Sequence, residues 1–407
     1  MNKSIRLICF ILCAVLISFS LTGCYDNTEI EDLAYVIAIG IDEAGGNSFD
    51  LTFQTAVPKA ITEGGGEGTS MITFKTDNFL VGLKKTGEYL SRKINLSHTK
   101  IIVVSEGIAR KGVTAFLNGL QHGLEVRQNI NIIVASEGAK KYIESIQPKL
   151  SANPSKYYEL LFKAYETDFL VPATQLEDYL YRAKNQGAQP VAIYTAMDRS
   201  IEEGKKSSGD EGGGNSAGGS GGGGSGDKKP EEGKGENMSI MGLAVFKTDK
   251  MVGTLNAEQA SIFSLLTGSR NISLDIADPL DHRFKVLSNV KREKNSRTRV
   301  TVRNGKPFID IDLVLDIEVQ AVQSDFSYDE KENADKLAGA YKTYINQEIE
   351  KLLSKVTYEY KTDIFGYGEL AKRNFMTIRE WEKFNWPESF PKTEYGIDVQ
   401  AEVITHG

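Results

Sequence analysis

Apolar residues recur along the chain at two spacings, one suited to strands and one to helices. Tyr35 to Ile41 is an apolar run that predicts a buried strand. Phe49 to Val57 predicts its hairpin partner across the turn Asp42-Glu43-Ala44-Gly45-Gly46-Asn47. Pro58 ends that strand, and Gly64-Gly65-Gly66 falls in a loop. Met71 to Lys75 predicts a third strand. A helix follows from Phe79 to Arg92, with Leu80, Leu83, Gly87, Leu90 and Ile94 as its apolar face. Lys100 to Ser105 and Asn129 to Ala135 predict two more strands, separated by a short helix from Gly112 to His122. Such alternation predicts a mixed sheet with helices packed on it.

Pro154 to Glu166 and Gln175 to Lys184 read as tyrosine-containing helices, and Gln189 to Met197 as a strand. From Gly204 to Asn237 the pattern vanishes: 14 of those 34 residues are glycine, and Ser, Lys, Glu and Asp make up most of the rest. Nothing in this stretch offsets the entropy of ordering, so disorder is expected. Strands are predicted on both sides of it, the second being Ser239 to Lys247, with Lys250 to Leu255 after a turn. The stretch therefore reads as an expanded loop between neighbouring strands, because closure entropy grows slowly with length. An interdomain linker is the alternative.

Asn256-Ala257-Glu258-Gln259 has the form of a capping box opening a helix that runs to Leu266. Strands are predicted at Asn271 to Ile276, Phe284 to Val290, Arg297 to Val302 and Pro307 to Val322. In the last, Ile309, Ile311, Leu313, Leu315 and Ile317 alternate mainly with acidic residues, the signature of a sheet with one wet face. Leu337, Tyr341, Ile345, Ile349, Leu352 and Val356 mark the longest helix, 332 to about 361. This stripe is expected to pack on the sheet, with docking to another subunit as the alternative. Tyr395 to Ile404 supplies a closing strand.

The N-terminus departs from all of this. Lys3 and Arg6 precede an uncharged, mostly apolar run of about 15 residues, Leu7 to Leu21, whereas a spanning helix needs roughly 20. Leu21-Thr22-Gly23-Cys24 matches a lipobox completely: aliphatic, small, small, cysteine. Residues 1–23 therefore read as a removable signal peptide, with Cys24 the acylation site and 24–34 a lipidated segment. Two ester-linked chains make attachment stable where one is marginal. Cys9 and Cys13 leave with the signal, so the mature chain keeps only Cys24 and forms no internal disulfide.

Loss of Lys3 and Arg6 with the signal takes the net charge from −7 to about −9. An acidic chain is poorly suited to nucleic acid, where binding runs on phosphate neutralisation. His98, His122, His282 and His406 are dispersed, with no second ligand at metal-site spacing, so no metal and no cofactor is expected. Neither a nucleophile elbow nor a dinucleotide fingerprint occurs, and the chain is not expected to be an enzyme. Trp381, Phe384, Trp386 and Phe390 are read as anchors of a loop to the core.

Four segments, in order, resemble the Ger(x)C lipoproteins, the C subunits of spore germinant receptors in endospore-forming Firmicutes. They are Cys24-Tyr25-Asp26-Asn27-Thr28-Glu29-Ile30 with Ala38-Ile39-Gly40-Ile41-Asp42; Gly242 to Lys247 with Asp249 to Gly253; Asp363-Ile364-Phe365-Gly366-Tyr367-Gly368-Glu369; and the Trp381 region with the closing strand. Tyr25 departs from the tryptophan usual in the family, and the Gly-rich stretch is an insertion. The resemblance implies a multidomain α+β protein with mixed and antiparallel sheets and packed helices. Three domains are expected: 35–147, 148–268 with the loop at 204–237, and 269–407. It also implies anchorage on the outer face of the spore inner membrane and assembly with integral-membrane A and B subunits into a receptor for small nutrients. Only Cys24 carries over as a site residue. A solute-binding lipoprotein is the alternative, although long antiparallel strands over 284–322 do not suit its doubly wound lobes.

Overall fold

A computed structural model describes residues 32–46, 48–56, 69–121, 126–146, 154–164, 174–197, 238–268 and 271–404, with isolated positions before residue 32. The leader, Cys24 and the Gly-rich stretch lie outside the described residues. The fold is α+β, and the described residues form two sheets.

Among the described residues the first sheet has nine strands. They are β1 (Leu33–Glu43), β2 (Phe49–Ala56), β3 (Thr69–Thr76), β4 (Lys93–Asn95), β5 (Ile101–Ser105), β6 (Asn131–Ala135), β7 (Val191–Met197), β8 (Met238–Lys247) and β9 (Lys250–Asn256). Their order is β3-β2-β1-β5-β6-β7-β8-β9, with β4 alongside the start of β1. The centre is parallel, β1-β5-β6-β7, and antiparallel hairpins extend it on either side. Every residue of β5 and β6 is buried, as expected of central strands covered on both faces. One covered face carries Phe79, Leu117, Leu176 and Tyr179; the other carries Tyr142, Ile143, Tyr158 and the helix after β9.

Two features bear on domain organisation. The division expected at 147/148 falls between β6 and β7, which are paired neighbours. The Gly-rich stretch joins β7 to β8, which pair antiparallel from Val191↔Val245 to Met197↔Met238.

The second sheet is built on the 17-residue strand β13 (Lys306–Val322). One edge of β13 pairs with β12 (Arg297–Arg303) and then β11 (Lys285–Arg292), which in turn pairs with β10 (Asn271–Ala277). Its other edge pairs in parallel with β14 (Glu394–Val403). Ile309, Ile311, Leu313, Leu315 and Ile317 are all buried, so the alternating pattern has one dry face as predicted.

That face is covered by the longest helix, Lys331–Ser354. The six residues of its predicted stripe are completely buried in the core. Tyr341 adds a polar tie, its hydroxyl lying 3.1 Å from the carbonyl oxygens of both Leu274 and Val286. The stripe therefore packs within the chain.

The helix α1 (Phe79–Leu90) departs from expectation. It buries Phe79, Gly82 and Thr86, and leaves Leu80 45% exposed. Gly82 is the cause. A Cβ there would sit 2.8 Å from Leu51 Cδ2, so the missing side chain lets the helix approach the hairpin on that face. Thr86 can be buried because its hydroxyl donates to the Gly82 carbonyl at 2.9 Å. The helix expected from Gly112 to His122 is present as Thr114–Gln121, and an unpredicted helix, Glu106–Lys111, capped by Ser105 straight out of β5, precedes it. The last turn of the longest helix is a π turn, Lys355–Tyr360.

These packings predict opposite responses. Ile349→Ala, in the buried stripe, is expected to cost about 2–5 kcal/mol. Leu80→Ala is expected to stay within about 0.5 kcal/mol of the parent. Urea unfolding measures both, and a costly Leu80→Ala would contradict the observed helix face.

Candidate functional site: a buried carboxylate joint

Three segments far apart in sequence converge where the two sheets meet: Gly242–Gly253, Asp363–Glu369 and the Trp386 region. The first is the hairpin β8–β9, the outer edge of the first sheet. The second follows the π turn. The third is a pair of short helices, Ile378–Phe384 and Trp386–Ser389.

Asp363 is at the centre. Its Oδ1 accepts hydrogen bonds from the backbone N–H of Phe365 (3.1 Å) and Gly366 (3.0 Å). Its Oδ2 accepts from the N–H of Gly368 (2.8 Å) and the indole Nε1–H of Trp386 (3.0 Å). An aspartate followed by two spaced glycines favours this arrangement, because the side chain can accept from amides just downstream. Gly366 takes φ +79°, which a glycine adopts without strain. Gly368 lets two backbones meet: a Cβ there would lie 2.4 Å from Gly187 Cα.

Burial of the carboxyl group pushes its pKa up to about 6, against the opposing pull of its donors. No cation is among its hydrogen-bond partners. The charge is held by N–H dipoles alone, the arrangement that makes a buried charge tolerable without an ion pair.

Backbone and side-chain bonds tie this centre to the first sheet. Gln189, just before β7, donates its N–H to the Asp363 carbonyl at 2.7 Å. Thr362 Oγ1 donates to the Phe246 carbonyl of β8 at 3.1 Å, and Arg182 Nη1 to the Ile364 carbonyl at 3.1 Å. The π turn covers the edge of β9. Tyr360 Oη lies 2.9 Å from the Thr254 carbonyl and 3.2 Å from its N–H, and Lys355 Nζ donates to the same carbonyl at 2.9 Å. Gly253 makes room for the Tyr360 ring, which a Cβ would meet at 2.3 Å. From the second sheet, Arg292 Nη1 donates to the carbonyls of Leu265 and Leu266 at the end of the helix following β9. That helix opens with the predicted capping box of Asn256 and Gln259.

The aromatic residues behave as anchors. Trp386 is completely buried between Trp381, 6.0 Å away, and Phe390, 5.8 Å away. Beside them is a cleft lined by Gln186, Gln189, Lys247, Thr248, Lys361 and Pro387, among others. Its volume of about 50 Å³ suits a few waters. Thr248 (φ 61°) and Lys361 (φ 53°) both line it in the left-handed region, unusual for residues with side chains. The Gln189 side chain holds Thr248 in place by accepting its N–H.

Every oxygen of Asp363 is engaged by protein donors, so the group has no free lone pair aimed at a substrate. The arrangement is a joint. Among the described residues, no three His, Cys, Asp or Glu side chains are placed to hold a metal. His98 packs edge-on against Tyr35 at 5.1 Å; the side chains of His122 and His406 lie outside the described residues. So does Cys24, the one predicted site residue. The Asp363 joint could have been suspected from its Asp-x-x-Gly-x-Gly spacing, but its indole partner 23 residues away could not.

Comparison with known proteins gives a consistent answer. The family described as "Spore germination protein N-terminal domain" matches residues 26–197, and "Spore germination B3/ GerAC like, C-terminal" matches 241–407. The chain is 24% identical to spore germination protein KC of Bacillus subtilis, over 96% of this chain and 94% of that protein. It is 22% identical to spore germination protein GerQC of Bacillus cereus, over 97% of each. The crystal structure of the GerBC protein superposes with a TM-score of 0.53 at 16% identity, covering 90% of this chain and 97% of that one.

The joint predicts a pH signature. A carboxyl group whose pKa is raised on folding stabilises the fold below its unfolded value near 4, and that contribution is lost as pH rises through 6. Asp363→Asn, which cannot titrate, is expected to be destabilised by loss of acceptors and to lack this component. The stability difference between parent and variant should shrink by up to about 3 kcal/mol from pH 4 to pH 7. Urea titrations at both values measure it, and a pH-independent difference would contradict burial of a titrating carboxyl group.

Proposed function

The chain belongs to the spore germination GerAC family, and from that membership we propose that it is a lipid-anchored, non-enzymatic subunit of a germinant receptor complex. A role in spore germination is what the family and its named relatives share. The lipid anchor, the complex and the site of action are the further steps of this reading.

The observation that carries the anchor is the lipobox Leu21-Thr22-Gly23-Cys24 placed nine residues before the first strand. None of the described helices is long and apolar enough to cross a membrane, so acylated Cys24 is the attachment this reading relies on. The acidic balance of the mature chain favours covalent lipid over charge as the means of staying there. Anchorage on the outer face of the spore inner membrane would place the two-sheet body beside integral-membrane A and B subunits. Joined as it is through Asp363, that body suits coupling or scaffolding within a complex better than capture of a nutrient in the small cleft.

Two measurements on spores test this. The tagged chain purified from spore membranes in mild detergent is expected to bring two multi-spanning proteins with it. Cys24→Ala is expected to leave the membrane fraction. Purification alone, with the partners absent, would overturn the complex; retention of Cys24→Ala after a high-salt wash would overturn the lipid anchor.

A further inference from the structure

The first sheet has two chemically different ends. Its parallel strands β1, β5, β6 and β7 all start at one end and finish at the other. At the finishing end lie Glu43, Asp50, Asp77, Glu106 and Glu137. The cations there are engaged: Lys111 with Glu43, Arg110 with Glu106, Lys141 with Glu137, Lys140 with Glu144, and Lys75 with the Ala44 carbonyl. The Gly-rich stretch leaves Met197 and rejoins at Met238 at this same end.

The starting end carries cations without such partners. Leu33 enters β1 directly alongside Lys93. Arg92, Lys93 and Arg127 are exposed, and among the described residues none of them has an ion-pair partner. The acids nearby are Asp32, Glu88, which faces Lys84 at 3.8 Å, and Glu177, whose backbone N–H donates to the Gln128 carbonyl at 3.3 Å.

Nine residues separate Leu33 from Cys24, a reach of at most about 30 Å when fully extended. If Cys24 is acylated, as the proposed function holds, this basic end cannot stand far from the bilayer. We propose that the Leu33 end of the first sheet rests on the phospholipid headgroups, with Arg92, Lys93 and Arg127 against anionic phosphates. Unpaired cations are attracted to anionic lipid. The carboxylate-rich end and the insertion's attachment points face away from the membrane, which relieves the repulsion an acidic chain would otherwise meet there.

The acylated full-length chain tests this directly, since Cys24 is consumed by lipid and any introduced cysteine is the sole free thiol. Gln128→Cys at the starting end and Asp77→Cys at the finishing end each receive a fluorophore. The proteins are reconstituted in phosphatidylcholine vesicles with phosphatidylglycerol and headgroup spin-labelled lipid. Both are expected to float with the vesicles, with the Gln128 label quenched several-fold more than the Asp77 label. The same pair carrying Arg92→Gln, Lys93→Gln and Arg127→Gln is expected to float yet lose most of that contrast. Flotation with equal quenching, or stronger quenching at Asp77, overturns the orientation alone. An undiminished contrast in the triple variant overturns the role of the cations. Failure to float overturns the anchor, and the orientation with it.

Discussion

A carboxylate buried without a cation has to be met by dipoles, and meeting Asp363 in this way fixes the centre of the molecule. Two of its donors come from the loop it begins, a third from Gly368, and the fourth from an indole 23 residues later. Satisfying them sets the path of the loop, the depth of Trp386 and the closeness of Gly368 to Gly187. An unpaired buried charge would cost several kcal/mol, so these positions are not independently adjustable.

The joint also resolves a hazard of open sheets. The outer strand β9 would present unpaired backbone groups to any passing strand. Tyr360 and Lys355 occupy the Thr254 amide and carbonyl instead, and the π turn that carries both supplies the necessary reach. The strand order sets the two attachment points of the Gly-rich stretch side by side, at the ends of strands that pair with each other.

Much of this was legible in the sequence because burial leaves a period. The alternation from Ile309 to Ile317 and the stripe from Leu337 to Val356 both proved to be dry faces, and Asn256 with Gln259 formed the predicted cap. The helix Phe79–Leu90 was misjudged because the leucines outvoted a glycine. Periodicity counts apolar side chains, whereas Gly82 directs packing by lacking one. The π turn left no trace, since Val356 stays in phase with the helix before it. At the joint, the resemblance singled out the right segments, but their meeting depends on pairings across more than a hundred residues, such as Thr362 with Phe246.

The central claim is that Asp363 holds the two sheets as one body. Spin labels at Gln128→Cys in the first sheet's loop and Asn295→Cys in the second sheet's turn report the distance between them. The account predicts one narrow distance distribution in the parent and a clearly broadened one in Asp363→Ala, with secondary structure retained. An equally narrow distribution in the folded variant would contradict it.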